Sequence, residues 1–180
     1  MLYMFLANGF EEIEALLPLD LLRRAGIEVK TVGIGTTTVT GSHDIRVKPD
    51  MFEGAFEITQ KPIDCIILPG GMPGTKNLDA SPVVHKAIDR ALDDNALICA
   101  ICAAPMILGK RGLLKGKNAT CFPGFEEYLD GATVGGRVVR DGNIITAIGM
   151  GAAMEFGLEI VAAIKGREEA DKLAAAVLAK

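Results

Sequence analysis

Ala96-Leu97-Ile98-Cys99-Ala100-Ile101-Cys102-Ala103-Ala104-Pro105-Met106-Ile107-Leu108 is the stretch whose reading decides the fold. Ala96 to Ile101 is short, apolar and uncharged, the pattern of a strand buried on both faces. The residues after Cys102 predict a helix with proline in its first turn. Cys102 therefore falls on a strand-to-helix elbow.

Working outward, similar runs occur at Leu2 to Leu6, Ile27 to Gly33 and Cys65 to Leu68. Between the first two, Ile13, Leu16, Leu17 and Leu21 share one helical face, with acidic residues at the start and Arg23, Arg24, Ala25 and Gly26 at the end. Pro18 lies inside that helix and leaves the Glu14 carbonyl without its usual donor, which predicts a kink near Glu14. A second helix is expected over Lys76 to Leu92, with Ser81-Pro82 placed as cap and first helical residue. Val138-Val139-Arg140, Asp141-Gly142 and Asn143-Ile144-Ile145 predict a hairpin of two antiparallel strands. Helices over Ala152 to Lys165 and Arg167 to Leu178, split by Gly166, close the chain. Alternating strands and helices predict an α/β fold: one mostly parallel sheet with helices on both faces, in a single domain over residues 1–180. Ligands then bind beyond the carboxyl ends of the strands, at Ala7 to Glu14, Pro69 to Thr75, Ile101 to Pro105 and Gly149 to Ala153.

The chain has 180 residues, 49% of them apolar, with 19 Lys and Arg against 23 Asp and Glu. That length suffices to bury a core without disulfide or metal staples. A net charge of −4 with no basic stripe argues against nucleic-acid binding. The longest nearly apolar run, Ala96 to Gly109, contains Pro105 and falls short of the roughly 18 residues that span a bilayer, so no membrane association is expected. Glu11, Glu12 and Glu14 follow the apolar start at once, with no basic region before it, which is unlike a signal peptide. The expected location is the cytoplasm, with Cys65, Cys99, Cys102 and Cys121 as reduced thiols.

Cys102 is the candidate nucleophile. At a helix N-terminus the dipole and unpaired N–H groups favour thiolate and can draw a thiol toward about 3.5 to 7.5. The commoner fate of such a cysteine is to pack as a small hydrophobe, but the carboxyl end of a strand favours chemistry. Cys99 and Cys102 form a C-x-x-C pair. Cys99, however, falls inside the strand, and His43 and His85 supply no second ligand pair for zinc, so no metal is expected. Cys65 and Cys121 read as packing residues. Pro69-Gly70-Gly71-Met72-Pro73-Gly74 ends the third strand with backbone N–H groups free to form an oxyanion hole. Glu11 and Glu12 complement the helix dipole. Glu14, one turn inside, can turn inward over the sheet, where a neighbouring thiolate would raise its pKa and make it an acid or proton shuttle.

Four stretches together resemble the DJ-1/ThiJ/PfpI superfamily, in its DJ-1/YajL-like branch. They are Gly9-Phe10-Glu11-Glu12-Ile13-Glu14 with Pro18, Leu68-Pro69-Gly70-Gly71, Ala100-Ile101-Cys102-Ala103-Ala104-Pro105, and Gly149-Met150-Gly151 with Glu155-Phe156. The resemblance implies a flavodoxin-like sandwich, similar to class I glutamine amidotransferases, and a homodimer. It implies that Cys102 is the reactive residue, that a protonated Glu14 contacts it, and that the amides of Gly71 and Ala103 form the oxyanion pocket. Gly70, Phe122 and Met150 would line that pocket. Two departures stand out. Ala103 follows the cysteine, where protease-like and amidotransferase-like relatives rely on a histidine there or farther along, which argues against those activities. Phe122, ahead of Pro123, stands where some relatives place a histidine. Neither His43 nor His85 falls on a catalytic position. His43 lies in a region that in relatives approaches the partner subunit's pocket, and it is expected to be exposed or at an interface.

The resemblance implies a glyoxalase or deglycase acting on small 2-oxoaldehydes such as methylglyoxal, without a cofactor. The alternative is a redox-sensing or chaperone-like stress protein in which Cys102 is oxidised to a sulfinate. Both need the same accessible thiol.

Overall fold

The computed structural model describes residues 1–56 and 62–179. In chain order the elements are β1 (Leu2–Ala7), α1 (Glu12–Arg24), β2 (Val29–Ile34), β3 (Val39–Thr40), β4 (Arg46–Val47), β5 (Met51–Phe52), β6 (Cys65–Leu68), α2 (Gly74–Asp79), α3 (Pro82–Asp93) and β7 (Leu97–Ile101). They continue as α4 (Pro105–Lys110), β8 (Asn118–Ala119), β9 (Thr133–Val134), β10 (Val138–Asp141), β11 (Ile144–Ala147), α5 (Ala153–Lys165) and α6 (Arg167–Ala176). Seven strands form one sheet in the order β10-β11-β7-β6-β1-β2-β5. Only β10 runs antiparallel to its neighbour, because β11 joins β7 in parallel, with Ala147 beside Ile101.

Period-2 alternation distributes each buried strand between two cores. Phe5, Ala7, Ile66, Leu68, Ile98 and Ala100 face α3 and its Val84, Ala87, Ile88 and Ala91. Met4, Leu6, Ile67, Cys99 and Ile101 point the other way, toward Ala15, Leu19 and Leu22 of α1 and Phe156, Ile160 and Val161 of α5. From β1 the sheet grows through β2 to β5 on one side, and the chain then returns to place β6 on the other. The crevice this reversal opens lies at the carboxyl ends of β1 and β6, next to the end of β7.

Two expectations need correction. The single helix over Lys76 to Leu92 is two, because the Ser81 side chain accepts from the Val84 N–H and starts α3 afresh at Pro82. Of the hairpin strands, only β10 departs from the parallel core. As expected from the sequence, Pro18 stands inside α1, and it packs against a glycine of α5. A Cβ at Gly157 would lie 2.7 Å from Leu21 Cδ1 and 3.0 Å from Pro18 Cα. Among the described residues no helix is long and apolar enough to cross a membrane.

The close approach of α1 and α5 is thus specified by the missing side chain at Gly157. Gly157→Val is expected to destabilise the fold by about 1–3 kcal/mol through overpacking, read as a lower urea midpoint. An unchanged midpoint would show that the helices have room to spare.

Candidate active site

β7 ends against β11, and the backbone continues into the elbow in a conformation few side chains adopt: Cys102 has φ 64°. Hydrogen bonds hold it there. The Cys102 N–H donates to Ala147 O at 2.8 Å, and its carbonyl accepts from the Phe122 N–H at 2.7 Å. Such strain costs about 1–3 kcal/mol and persists where the surroundings over-determine it. The half-buried sulfur is thereby presented at the sheet's carboxyl edge.

Glu14 reaches the same point from α1 and is 1% exposed. Its backbone N–H is capped by the Glu11 carboxylate at 2.7 Å. Its own carboxylate accepts from the Gly70 N–H at 3.1 Å and from the Met150 N–H, and it is hydrogen-bonded to the Cys102 thiol. Gly70 is required for this meeting, since a Cβ there would lie 2.5 Å from Glu14 Oε2 and 2.6 Å from Cys102 Cβ. At Gly71 the chain turns through φ 88°. The amides of Gly71 and Ala103 face the Cys102 sulfur and act to lower its pKa.

Burial raises the Glu14 pKa to about 7 against the opposing hydrogen bonds from Cys102, Gly70 and Met150, with Glu11 adding to the rise. Burial, the Glu14 charge and the hydrogen bond to Glu14 push the Cys102 thiol up to about 12, opposed by the Ala103 and Gly71 amides. The expected depression of the thiol by a helix dipole is therefore corrected. α4 has six residues and begins at Pro105, beyond the elbow, and the buried carboxylate outweighs it. Below about pH 7 the pair holds two protons, and above it one, which rests on the sulfur.

The family model for the DJ-1/PfpI family matches residues 1–163. The chain belongs to the DJ-1/PfpI family. It is 36% identical to protein dj-1beta of Drosophila melanogaster, over 96% of this chain and 94% of that one. It is 34% identical to the glutathione-independent glyoxalase DJR-1.2 of Caenorhabditis elegans, over 91% and 87%. The solved structure of oxidised DJ-1 from Toxoplasma gondii superimposes with a TM-score of 0.91 at 35% identity, covering 98% of this chain and 97% of that one.

Within this family fold Phe122 stands beside Gly149, a Cβ at which would be 3.3 Å from the Phe122 ring and 3.8 Å from Glu14 Oε1. Phe122 and Met150 thus join Cys102, Glu14, Gly70, Gly71 and Ala103 at one place. Cys99 does not. It is buried in the core, its sulfur 3.7 Å from that of Cys65, while Cys121 is buried in the other core. His85 lies away from the site, its Nε2 2.6 Å from the Asp79 carbonyl.

Glu12 lies in the first turn of α1, where it complements the dipole, and it has a second role. It is buried and accepts from the His43 N–H at 2.7 Å, with Ser42 Oγ at 3.3 Å and His43 Nδ1 at 2.9 Å. It clamps the β3–β4 turn onto the start of α1. Helical spacing carries no signal for this, because the partners come from a turn some thirty residues away.

Because the folded state raises the Glu14 pKa from 4.5 to about 7, it binds this proton more tightly than the unfolded chain does. The resulting stabilisation is complete below about pH 4.5 and is lost as pH rises through about 7, a change of up to about 3 kcal/mol. Glu14→Gln is expected to abolish that component of the stability–pH profile, measured by urea unfolding between pH 5 and pH 8. Parallel profiles for variant and wild type would show that Glu14 titrates normally.

Proposed function

We propose that this protein is a cofactor-independent glyoxalase or deglycase that converts small 2-oxoaldehydes, methylglyoxal among them, to 2-hydroxy acids. The reading is carried by one observation: the buried Glu14 carboxyl meets Cys102 across Gly70, where a Cβ would lie 2.5 Å from Glu14 Oε2 and 2.6 Å from Cys102 Cβ. The similarity to a protein named as a glutathione-independent glyoxalase supports it.

In this reading Glu14 takes the Cys102 proton as sulfur attacks the aldehyde carbon. The C–S bond forms, and the aldehyde oxygen becomes an oxyanion that the Gly71 and Ala103 amides stabilise. Glu14 passes it the proton, giving a hemithioacetal. Glu14 then removes the hydrogen on the former aldehyde carbon as a proton and returns one to the neighbouring carbonyl carbon. The first carbon is oxidised and the second reduced, so no outside oxidant enters. The product is a 2-hydroxy thioester on Cys102, and water cleaves it to the hydroxy acid and free thiol. Glu14 does this without a histidine, since Phe122 occupies the position where some relatives carry one. A carboxyl titrating near the working pH suits a group that both takes and gives protons.

We extend the reading to a cytoplasmic homodimer. The exposed Ile13 on α1 and Ile45 beside β4 support a self-association surface.

The test is methylglyoxal consumption, with lactate as the measured product. Cys102→Ala and Glu14→Gln are each expected to lower kcat at least about a hundredfold. For the wild type, kcat/KM should fall as pH drops below about 7, where the pair takes up its second proton, and level off above it. Wild-type inactivity, together with peroxide oxidation of Cys102 to sulfinate, would favour the redox-sensing alternative.

A further inference from the structure

The loops that meet at Cys102 carry three exposed apolar side chains. Phe122 is 48% accessible, Met150 54% and Met72 37%, each large enough for contact with a ligand. All three are tied to the reacting groups through the backbone: the Phe122 N–H binds the Cys102 carbonyl, the Met150 N–H binds Glu14, and Met72 follows the Gly71 amide.

Phe122 is held rigidly. It opens the turn Phe122-Pro123-Gly124-Phe125, closed by a Phe125 N–H to Phe122 carbonyl bond of 3.1 Å. Proline in the second position and Gly124 at φ 96° in the third match a type II turn. The following N–H, on Gly124, is fixed by Glu126 at 2.7 Å. One side of the ring rests over Gly149, on the side where Glu14 lies, and about half of the residue's surface faces solvent. A preformed aromatic surface beside a nucleophile is a recognition element, because contact with it costs little ordering entropy.

The charged groups that act on the sulfur and carboxyl are acidic, Glu14 on Cys102 and Glu11 on Glu14. A substrate whose substituent carries a carboxylate is repelled by these two groups, while Arg137, which donates to the Gly151 carbonyl at 2.8 Å, is held by Glu155 at 3.1 Å.

Resting on the glyoxalase reading above, we infer that Phe122, with Met72 and Met150, makes this site selective for 2-oxoaldehydes bearing an aryl or bulky apolar substituent. The dicarbonyl end meets Cys102 and Glu14, and the substituent lies against the Phe122 ring. A ring–ring contact of this kind, together with its buried area, corresponds to about a tenfold preference.

The experiment compares phenylglyoxal with methylglyoxal, which share the reacting dicarbonyl and differ in the substituent. For the wild type, kcat/KM is expected to be about tenfold higher with phenylglyoxal. Phe122→Ala should remove most of that ratio, chiefly through KM for phenylglyoxal, and Phe122→Tyr, which keeps the ring, should retain it. A second readout needs no turnover: the rate of Cys102 alkylation by phenacyl bromide relative to bromoacetone, which should fall similarly in Phe122→Ala. Turnover of both dicarbonyls with ratios indifferent to Phe122 overturns the selectivity and leaves the glyoxalase reading intact. Absence of turnover on both overturns the substrate assignment together with the reading on which it rests. A Phe122-dependent alkylation ratio supports the aromatic wall itself in either case.

Discussion

Everything at this site depends on the meeting of a buried carboxyl, Glu14, with the thiol of Cys102. Burial raises the pKa of both groups, and the Glu14 charge raises that of Cys102 further, so both cannot be ionised cheaply in the same small volume. The amides of Gly70 and Met150 on the carboxyl, and of Gly71 and Ala103 on the sulfur, make a single negative charge tolerable there. Proton transfer from sulfur to oxygen within such a pair needs no change in the charge of the pocket.

The fold makes that arrangement possible by bringing four loops to one sheet edge. β1 leads to the start of α1 and hence to Glu14, β6 to Gly70 and Gly71, β7 to Cys102, and β11 to Gly149 and Met150. Its tolerances are set by absent side chains as much as by those present. A Cβ at Gly70 would occupy the space where carboxyl and thiol meet, and one at Gly157 would force α5 away from α1, the helix that carries Glu14. Cys102 is held in a left-handed conformation by hydrogen bonds on both sides of its peptide, and strain at the nucleophile is balanced by an otherwise well-paired neighbourhood.

Much of this was legible in the sequence. Runs such as Cys65 to Leu68 and Ala96 to Ile101 carry the signature of doubly buried parallel strands, and the loops at their carboxyl ends follow from the topology. Cys102 stood out by its place after such a strand, and Glu14 by its place one turn into a helix. Two-residue strands such as β3, β4, β8 and β9 are too short to leave a periodic signal. The direction of the Cys102 shift was misjudged for a related reason. A helix N-terminus can be read locally, but the burial and the facing carboxylate that outweigh it come from distant chain segments. Glu12 shows the same limit, its partners Ser42 and His43 being brought to it by tertiary structure alone.

The most direct measurement is the titration of the Glu14 carboxyl itself, followed by carbon-13 NMR of protein labelled at glutamate and assigned through Glu14→Gln. The raised pKa of the buried Glu14 predicts a transition near pH 7 in the wild type. A transition in the ordinary carboxyl range of about 4 to 5 would contradict it, leaving Cys102 beside a carboxylate too weakly basic to exchange protons with it near neutral pH.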